Sequence, residues 1–278
     1  MTDTLDLEAV AVRMREVLGE GPVLALTGAG ISTDSGIPDY RGPGSPPRTP
    51  MTYQQFVGDP AFRRHYWARN HVGWRHVHRT RPNEGHRALA ELEAAGVLSG
   101  VITQNVDTLH EMAGSRRVID LHGRYDRVVC LSCARVIPRG RLDARLTELN
   151  PDFADAVADV EVAPDADAVL ASTEGFRVAD CADCGGMLKP DIVYFGENVP
   201  KERVLEGYRL VDEAAALLVA GSSLTVLSGR RFVKRAADQG KPVVILNRGA
   251  TRADAIATLT VDAGCSPALR ALVAAYTG

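Results

Sequence analysis

The chain has 278 residues, a hydrophobic fraction of 45% and a formal net charge of −3. That length suits one large domain, or one with a small companion, and the charge gives no electrostatic case for nucleic acid as the main partner. No run approaches the ~20 apolar residues of a membrane span, and the acidic start Met1-Thr2-Asp3-Thr4 has neither signal-peptide nor transit-peptide character; a soluble, cytoplasmic protein is expected.

Asp6 to Leu18 carries Leu7, Val10, Met14, Val17 and Leu18 at helical spacing. Val23 to Leu26 reads as a short buried strand, and Thr27-Gly28-Ala29-Gly30 as a sharp turn after it. Glycines there let backbone approach a ligand and leave amides free to face a phosphate. The turn is not the ordinary dinucleotide fingerprint. Thr33 stands where the third glycine belongs, and no acid follows ~20 residues on. Without a ligand, the same pattern describes a strand-turn with a polar surface loop. Gly42 to Pro50 is a Pro/Gly/Ser-rich loop, and Thr52 to Val77, with Phe56, Phe62, Tyr66, Trp67 and Trp74, reads as a module of short helices. Arg87 to Ala95 is an amphipathic helix.

Gly100 to Thr103 is a strand whose end carries Gln104, Asn105 and Asp107; Val118 to Leu121 is another, ending in His122-Gly123. Cys130-x-x-Cys133 and Cys181-x-x-Cys184 bracket 47 residues that include a helical, acidic stretch from Arg141 to Val169. Four thiolates match structural zinc, and two disulfides are the alternative. Lys189 to Glu197 reads as a strand ending in a glycine, Val204 to Asp212 as a helix, and Ala214 to Ala220 as a strand before Gly221-Ser222-Ser223. Helix Gly229 to Gln239, strand Lys241 to Asn247, strand Thr258 to Val261 and helix Pro267 to Tyr276 complete the chain. Strand, polar tip and helix repeat about six times, the pattern of an α/β doubly wound parallel sheet. Polar tips then collect on one edge of the sheet, where such folds bind ligands.

The ordered set Gly28-Ala-Gly-Ile-Ser, Gly36-Ile-Pro-Asp-Tyr-Arg41, Thr103-Gln-Asn-Val-Asp-Thr-Leu-His110, Leu121-His-Gly123, the paired cysteines, Phe195-Gly-Glu197 and Gly221-Ser-Ser-Leu224 resembles the sirtuins, NAD-dependent protein lysine deacylases, over about residues 20 to 265. Tyr66-Trp-Ala-Arg-Asn70 followed by Gly73-Trp74 resembles their class II branch, which includes a mitochondrial sirtuin associated with lipoamidase, deacylase and ADP-ribosyltransferase activities. Tyr40 stands where many sirtuins have Phe, and Ser222 where many have Thr.

The resemblance implies a Rossmann-like NAD-binding domain over 1–41, 84–125 and 189–278 and a smaller domain, helical and with a four-cysteine zinc module, over 42–83 and 126–188. It implies NAD and one structural Zn2+ as cofactors, and acylated-lysine proteins or peptides as partners. The acyl oxygen attacks the nicotinamide ribose, nicotinamide leaves, and a histidine, here His122, acts as base on a ribose hydroxyl. A structural histidine at a strand end is the alternative for His122; His110 is read as structural. Gln104, Asn105 and Asp107 fall on the nicotinamide side, Asn105 also at the reactive ribose or water, and Asp107 doubles as a candidate helix cap. Gly28, Ala29 and Gly30 fall at the pyrophosphate, Asp39, Tyr40 and Arg41 in a loop closing on NAD, and Gly221, Ser222 and Ser223 at phosphate and ribose. Asn247 and Arg248 fall at the adenosine ribose, and Cys265 near the adenine or as an inert buried thiol.

The peptide is expected between Phe195-Gly196-Glu197 and Leu224 to Leu227, added as a strand. Tyr66 and Arg69 can share a helix face. A Tyr-x-x-Arg pair binds carboxylated acyl chains in acidic-acyl sirtuins, and a solvated arginine beside a packed tyrosine is the alternative. Two rival functions share these residues: an NAD-dependent mono-ADP-ribosyltransferase, and a non-catalytic module that binds NAD or acyl-lysine.

Overall fold

The computed structural model describes residues 6–39, 50–151, 153 and 173–278, the side chain of His76 excepted. Strands β1 (Val23–Thr27), β2 (Leu98–Thr103), β3 (Val118–Asp120), β7 (Ala216–Ala220), β8 (Val243–Asn247) and β9 (Leu259–Asp262) form a six-stranded sheet in the order β3-β2-β1-β7-β8-β9. Every neighbouring pair is parallel. From β1 the chain works outward to β3, then returns to β7 and works outward the other way, so the order reverses between β1 and β7. That junction is the topological switch point, where an open α/β sheet has its crevice.

The central strands β1 and β7 are buried along their whole length because both faces are covered. Val23 and Ala25 of β1 point to a core shared with Met14 and Leu18 of α1 (Leu7–Leu18), Leu89 and Leu92 of α4 (Glu84–Ala94), and Leu269 and Leu272 of α9 (Cys265–Thr277). Leu24 and Leu26 point the other way, to Leu210 and Val211 of α7 (Lys201–Glu213) and Phe232 and Val233 of α8 (Leu227–Asp238). The two-residue period of the strand thus supplies two separate cores.

A third core is aromatic. It joins α2 (Tyr53–Gly58), α3 (Pro60–Val77) and α6 (Arg139–Leu149) to a second sheet of β4 (Gly123–Cys130), β5 (Val136–Pro138) and β6 (Leu188–Ile192), in the order β5-β4-β6. Phe56 stacks on Tyr194 at 5.3 Å and meets Tyr66 edge-on at 5.5 Å. Arg139 is buried beneath them, its guanidinium 5.5 Å from the Trp67 ring and 5.2 Å from Trp74. It donates to Asn70 Oδ1 at 3.1 Å and pairs with Asp143 at 3.3 Å, and Asp143 also accepts from His71 Nδ1 at 2.6 Å. A buried cation is tolerable only with such partners.

Three expectations change here. Lys189 to Glu197 does not join the parallel sheet: its strand, β6, pairs antiparallel with β4. Pro190, which has no N–H to donate, sits at ease on that edge. Thr52 to Val77 is one short helix and one of 18 residues, not a set of short ones. Burial of Trp67 and packing of Trp74 carry the long helix through Gly73. The helix expected over 141–169 is observed over Arg139–Leu149, and residues 154–172 lie outside the described ones. Among the described residues no helix is long and apolar enough to cross a membrane.

Candidate active site and metal centre

At the switch point the turns after β1 and β7 touch backbone to backbone. Gly30 N–H donates to Gly221 C=O at 2.8 Å, and Gly28 N–H to Ala220 C=O at 3.3 Å. Gly221 has φ +66°, and a Cβ there would lie 2.3 Å from the Ile31 nitrogen; one on Gly30 would lie 2.9 Å from the Gly221 Cα. Only glycine fits this approach. Ala29 opens a 3-10 turn, Ala29–Ile31. Ser222 Oγ donates to Gln104 Oε1 at 2.6 Å and accepts Leu224 N–H at 3.3 Å, which holds the buried Leu224 at φ +54°. Ser223 Oγ meets Thr225 Oγ1 at 3.2 Å. Two glycine turns at parallel strand ends make the cradle a dinucleotide pyrophosphate needs.

Behind the cradle the tips of β1 and β2 are tied by polar side chains. Asn105 Nδ2 donates to Gly28 C=O at 3.1 Å and to Ser32 Oγ at 3.0 Å, and Ser32 Oγ donates to Asp107 Oδ2 at 2.7 Å. Asp107 Oδ1 accepts the N–H of Leu109, the first residue of α5 (Leu109–Ala113), at 3.0 Å, but the N-cap position is Thr108, whose side chain makes no capping bond. Burial raises the Asp107 carboxyl above its ordinary range, against the pull of those hydrogen bonds. Asn83, the N-cap of α4, donates to Ile31 C=O at 2.7 Å and pins the same loop. His86 lies 3.4 Å from Ser32 Oγ, and His110 lies 2.8 Å from Thr27 Oγ1. Burial, then Arg87, pushes His86 down to about 4; burial, then His86, holds His110 well below its usual value. Both rings are neutral parts of the floor. Ser32 had no role in the sequence reading. Its place at the end of Gly28-Ala-Gly-Ile-Ser was the available signal.

His122 lies in the two-residue connection between β3 and β4. Its Nδ1 is 2.8 Å from Gln104 C=O and its Nε2 is 2.7 Å from Ser228 Oγ. A carbonyl only accepts, so Nδ1 carries the hydrogen and Nε2 the lone pair. Burial pushes its pKa down to about 4; the Gln104 carbonyl opposes this, and the cations Arg203 and Arg231 add to it. The ring is therefore a neutral imidazole at neutral pH, in one tautomer, with an unprotonated Nε2 that accepts from Ser228 Oγ.

The other expected residues are placed as follows. Asn247 Nδ2 donates to Arg248 C=O at 2.9 Å and Gly249 C=O at 3.0 Å, shaping the turn after β8. Arg248 is exposed and lies over Gly264, where a Cβ would meet its Nη2 at 2.7 Å. Cys265 begins α9, buried, its thiol pushed up to about 12 by burial, then by Asp34. That is an unreactive thiol. Asp39 is half-buried; Tyr40 and Arg41 lie outside the described residues.

Phe195 is bridged to Thr52, with Tyr53 N–H donating to its carbonyl at 2.9 Å, and Gly196 C=O accepts from Gln54 Nε2 at 3.3 Å. Glu197 accepts from the buried Lys189 Nζ at 3.1 Å and from Tyr194 N–H at 2.9 Å, closing the loop on itself. Tyr66 and Arg69 both lie on α3. The Tyr66 ring is buried among aromatics, its hydroxyl accepting from Asn70 Nδ2 at 3.4 Å. Arg69 is half-buried and donates to His65 Nε2 at 3.1 Å.

The four paired cysteines converge. Their sulfurs all lie within 4.8 Å of one another, with Cys130–Cys184 at 3.5 Å and Cys133–Cys181 at 3.9 Å. Those separations are far beyond a disulfide bond. They match the ~3.8 Å edges of a tetrahedron with Zn–S near 2.3 Å. The two knuckles are alike: Ala134 N–H donates to Cys130 C=O and Gly185 N–H to Cys181 C=O, each at 2.9 Å, with Ala134 and Gly185 both at positive φ. The N–H groups of Cys133 and Ser132 aim at Cys130 Sγ and draw its thiol below the ordinary value. Four thiolates would fill the coordination shell of a zinc held here and leave no open position for water, which is the chemistry of a structural site.

The Sir2 family model matches residues 28–228. An NAD-dependent protein deacetylase 1 of Mycobacterium avium (strain 104) is 64% identical over 259 residues, covering 92% of this chain and 92% of the relative. One of Streptomyces coelicolor is 54% identical over 268 residues, covering 96% and 88%. A solved structure described as "Sir2-p53 peptide-NAD+" aligns with TM-score 0.71 and 32% identity over 93% of this chain and 95% of that one. The sheet, its glycine cradle, the four-cysteine centre and these similarities agree: the chain belongs to the Sir2 family, the NAD-dependent protein deacetylases.

Proposed function

We propose that the crevice between β1 and β7 is where acyl-lysine is cleaved, that the acyl group passes to ADP-ribose with release of nicotinamide, and that His122 is the base. The observation that carries this is the state of His122. It is neutral, its tautomer is set by Gln104, and its Nε2 keeps the lone pair, which accepts from Ser228 Oγ at 2.7 Å. A base ready at neutral pH needs those three properties. NAD supplies the ADP-ribosyl acceptor and nicotinamide as the leaving group.

The rest of the site divides by position. Gly28, Ala29, Gly30, Gly221, Ser222 and Ser223 hold the pyrophosphate and its riboses. Gln104, Asn105 and Asp107 hold the nicotinamide end, with Ser32 fixing both Asn105 and Asp107. Asn247, Arg248 and the backbone at Cys265 hold the adenosine, and Asp39, Tyr40 and Arg41 close over it. The acyl-lysine peptide runs between Phe195-Gly196-Glu197 and Leu224 to Leu227. Support for this is that Phe195, in a loop closed on itself by Glu197, and Leu227, at the start of α8, are both exposed large apolar side chains.

The class II reading gives the acyl preference. Arg69, half-buried on α3 beside the aromatic core, is the cation that would receive a carboxylate on the acyl chain. Mass spectrometry of products from acetyl-, succinyl-, glutaryl- and lipoyl-lysine peptides with NAD tests both parts. Acyl-ADP-ribose and nicotinamide must appear in equal amounts, and Arg69→Met must slow the acidic substrates more than acetyl. Label from NAD ending on protein instead would favour ADP-ribosyl transfer. Equal loss for all acyl chains would remove the acidic preference.

A further inference from the structure

Ser228 was not singled out by any sequence pattern, yet it is the one residue besides Gln104 found hydrogen-bonded to the His122 ring among the described residues. It lies in the first turn of α8, buried, with Oγ 2.7 Å from Nε2. Because Nδ1 carries the ring hydrogen, Ser228 O–H donates to the bare nitrogen. The next residue, Gly229, leaves room for the Gln104 side chain: a Cβ there would lie 2.6 Å from its carboxamide carbon. Nδ1 is held by the Gln104 backbone carbonyl, so α8 reaches the ring itself through Ser228.

We propose that Ser228 is a positioning residue for His122: its hydroxyl holds Nε2 in the resting site and becomes the acceptor for the Nε2–H once the ring takes a proton. This rests on His122 being the base. Nε2 has one lone pair, so the Ser228 O–H first turns off it; the ribose O–H bond then breaks and an N–H bond forms at Nε2. Ser228 loses no proton; its hydroxyl reverses from donor to acceptor. The reversal matters because the surroundings oppose an imidazolium. Arg203 of α7 and Arg231 of α8 both face the ring with positive charge, and the Gln104 carbonyl at the end of β2 is the opposing dipole. Arg203 is only partly offset by Asp191, 3.6 Å away. A hydrogen bond from a charged donor is about twice as strong as a neutral one, so Ser228 favours the protonated ring over the resting one.

The test is Ser228→Ala beside Ser228→Thr and His122→Ala. With the ligand-free protein at pH 7, the 15N resonance of His122 Nε2 should move toward that of a non-hydrogen-bonded imidazole nitrogen in Ser228→Ala and return in Ser228→Thr. In turnover, Ser228→Ala should lower kcat about tenfold, the loss of one charge-assisted hydrogen bond, with KM for NAD within about twofold. Ser228→Thr should restore kcat. An unchanged Nε2 resonance and kcat in Ser228→Ala would overturn the proposal. So would a loss that threonine fails to rescue, which would mark a packing role. Full activity in His122→Ala would overturn the base reading itself; inactivity there, with Ser228→Ala unchanged, would overturn only the role of Ser228.

Discussion

The parallel-sheet half and the aromatic half solve the same burial problem with opposite means. Around the six-stranded sheet the cores are aliphatic, and the polar groups gather at strand ends, where they are joined across β1, β2 and β7. Around β5-β4-β6 the core is aromatic and a full charge, Arg139, is enclosed in it between two tryptophans. The first half is held by sheet registry and area burial, which are non-directional and tolerant. The second has only a three-stranded sheet, and depends on a metal centre and on a buried network with fixed partners. The lesson is that chemistry sits on the robust half, while the directional half is the one a single change can undo.

The comparison predicts where damage is greatest. Removing zinc by chelation, or Cys133→Ser, should abolish metal content and lower Tm by on the order of 10 °C or more, since metal binding in such centres is folding free energy. Near-UV circular dichroism, dominated by the aromatic half, should collapse while the far-UV helix signal persists. Loss of both signals together would show that the sheet half has no stability of its own.

Next in size is His122→Ala, which should lower deacetylation by about 10²–10⁴ with zinc content and Tm unchanged. A Tm drop comparable to that of zinc removal would mean that the ring is a structural part. Arg139→Met should cost about 3 kcal/mol, because the buried Asn70 Oδ1 loses its donor and Asp143 keeps only His71. Urea unfolding measures it, and a cost near zero would mean that the network contributes little to this half.

The smallest effect is acidic. Unfolded, a histidine takes its proton near 6.5; folded, His86 and His122 resist it until about 4. Between those values the unfolded chain binds more protons. The contribution of these rings is therefore complete above pH 6.5 and is lost as pH drops toward 4, by up to about 3 kcal/mol for His86 alone. The carboxyls of Asp107 and Asp120, both raised by burial, work the other way, so the difference between wild type and His86→Phe isolates the ring. Thermal melts should fall more steeply toward pH 4 for wild type than for His86→Phe; parallel curves would contradict the neutral, buried state of that ring.

How legible each half was in the sequence follows from the same physics. Runs such as Leu217-Leu218-Val219 are apolar because both faces of the strand are covered, and the polar tips after them were visible for that reason. Two Cys-x-x-Cys pairs carried their chemistry on their spacing. What was not legible needed three-dimensional partners. β4 alternates weakly and β5 has three residues, so neither stands out by periodicity. β6 looked like another parallel strand because its antiparallel partner lies far away in sequence, across the cysteine knuckles. Arg139 reads as a surface arginine until Trp67, Trp74 and Asn70 close around it. Ser32 and Ser228 are ordinary serines in sequence. Only the positions of Asp107 and His122, 75 and 106 residues away along the chain, give them meaning.

Strand ends meeting at the β1–β7 junction are proposed to form one site in which His122 accepts a proton as NAD is consumed. The most direct measurement is quantitative mass spectrometry of nicotinamide, deacetylated peptide and acetyl-ADP-ribose from an acetyl-lysine peptide and NAD, with wild type and His122→Ala side by side. The account predicts equal amounts of all three products from wild type, and a loss of at least about a hundredfold in the variant with its zinc intact. Undiminished product from His122→Ala, or no NAD consumption by the zinc-loaded wild type, would contradict it.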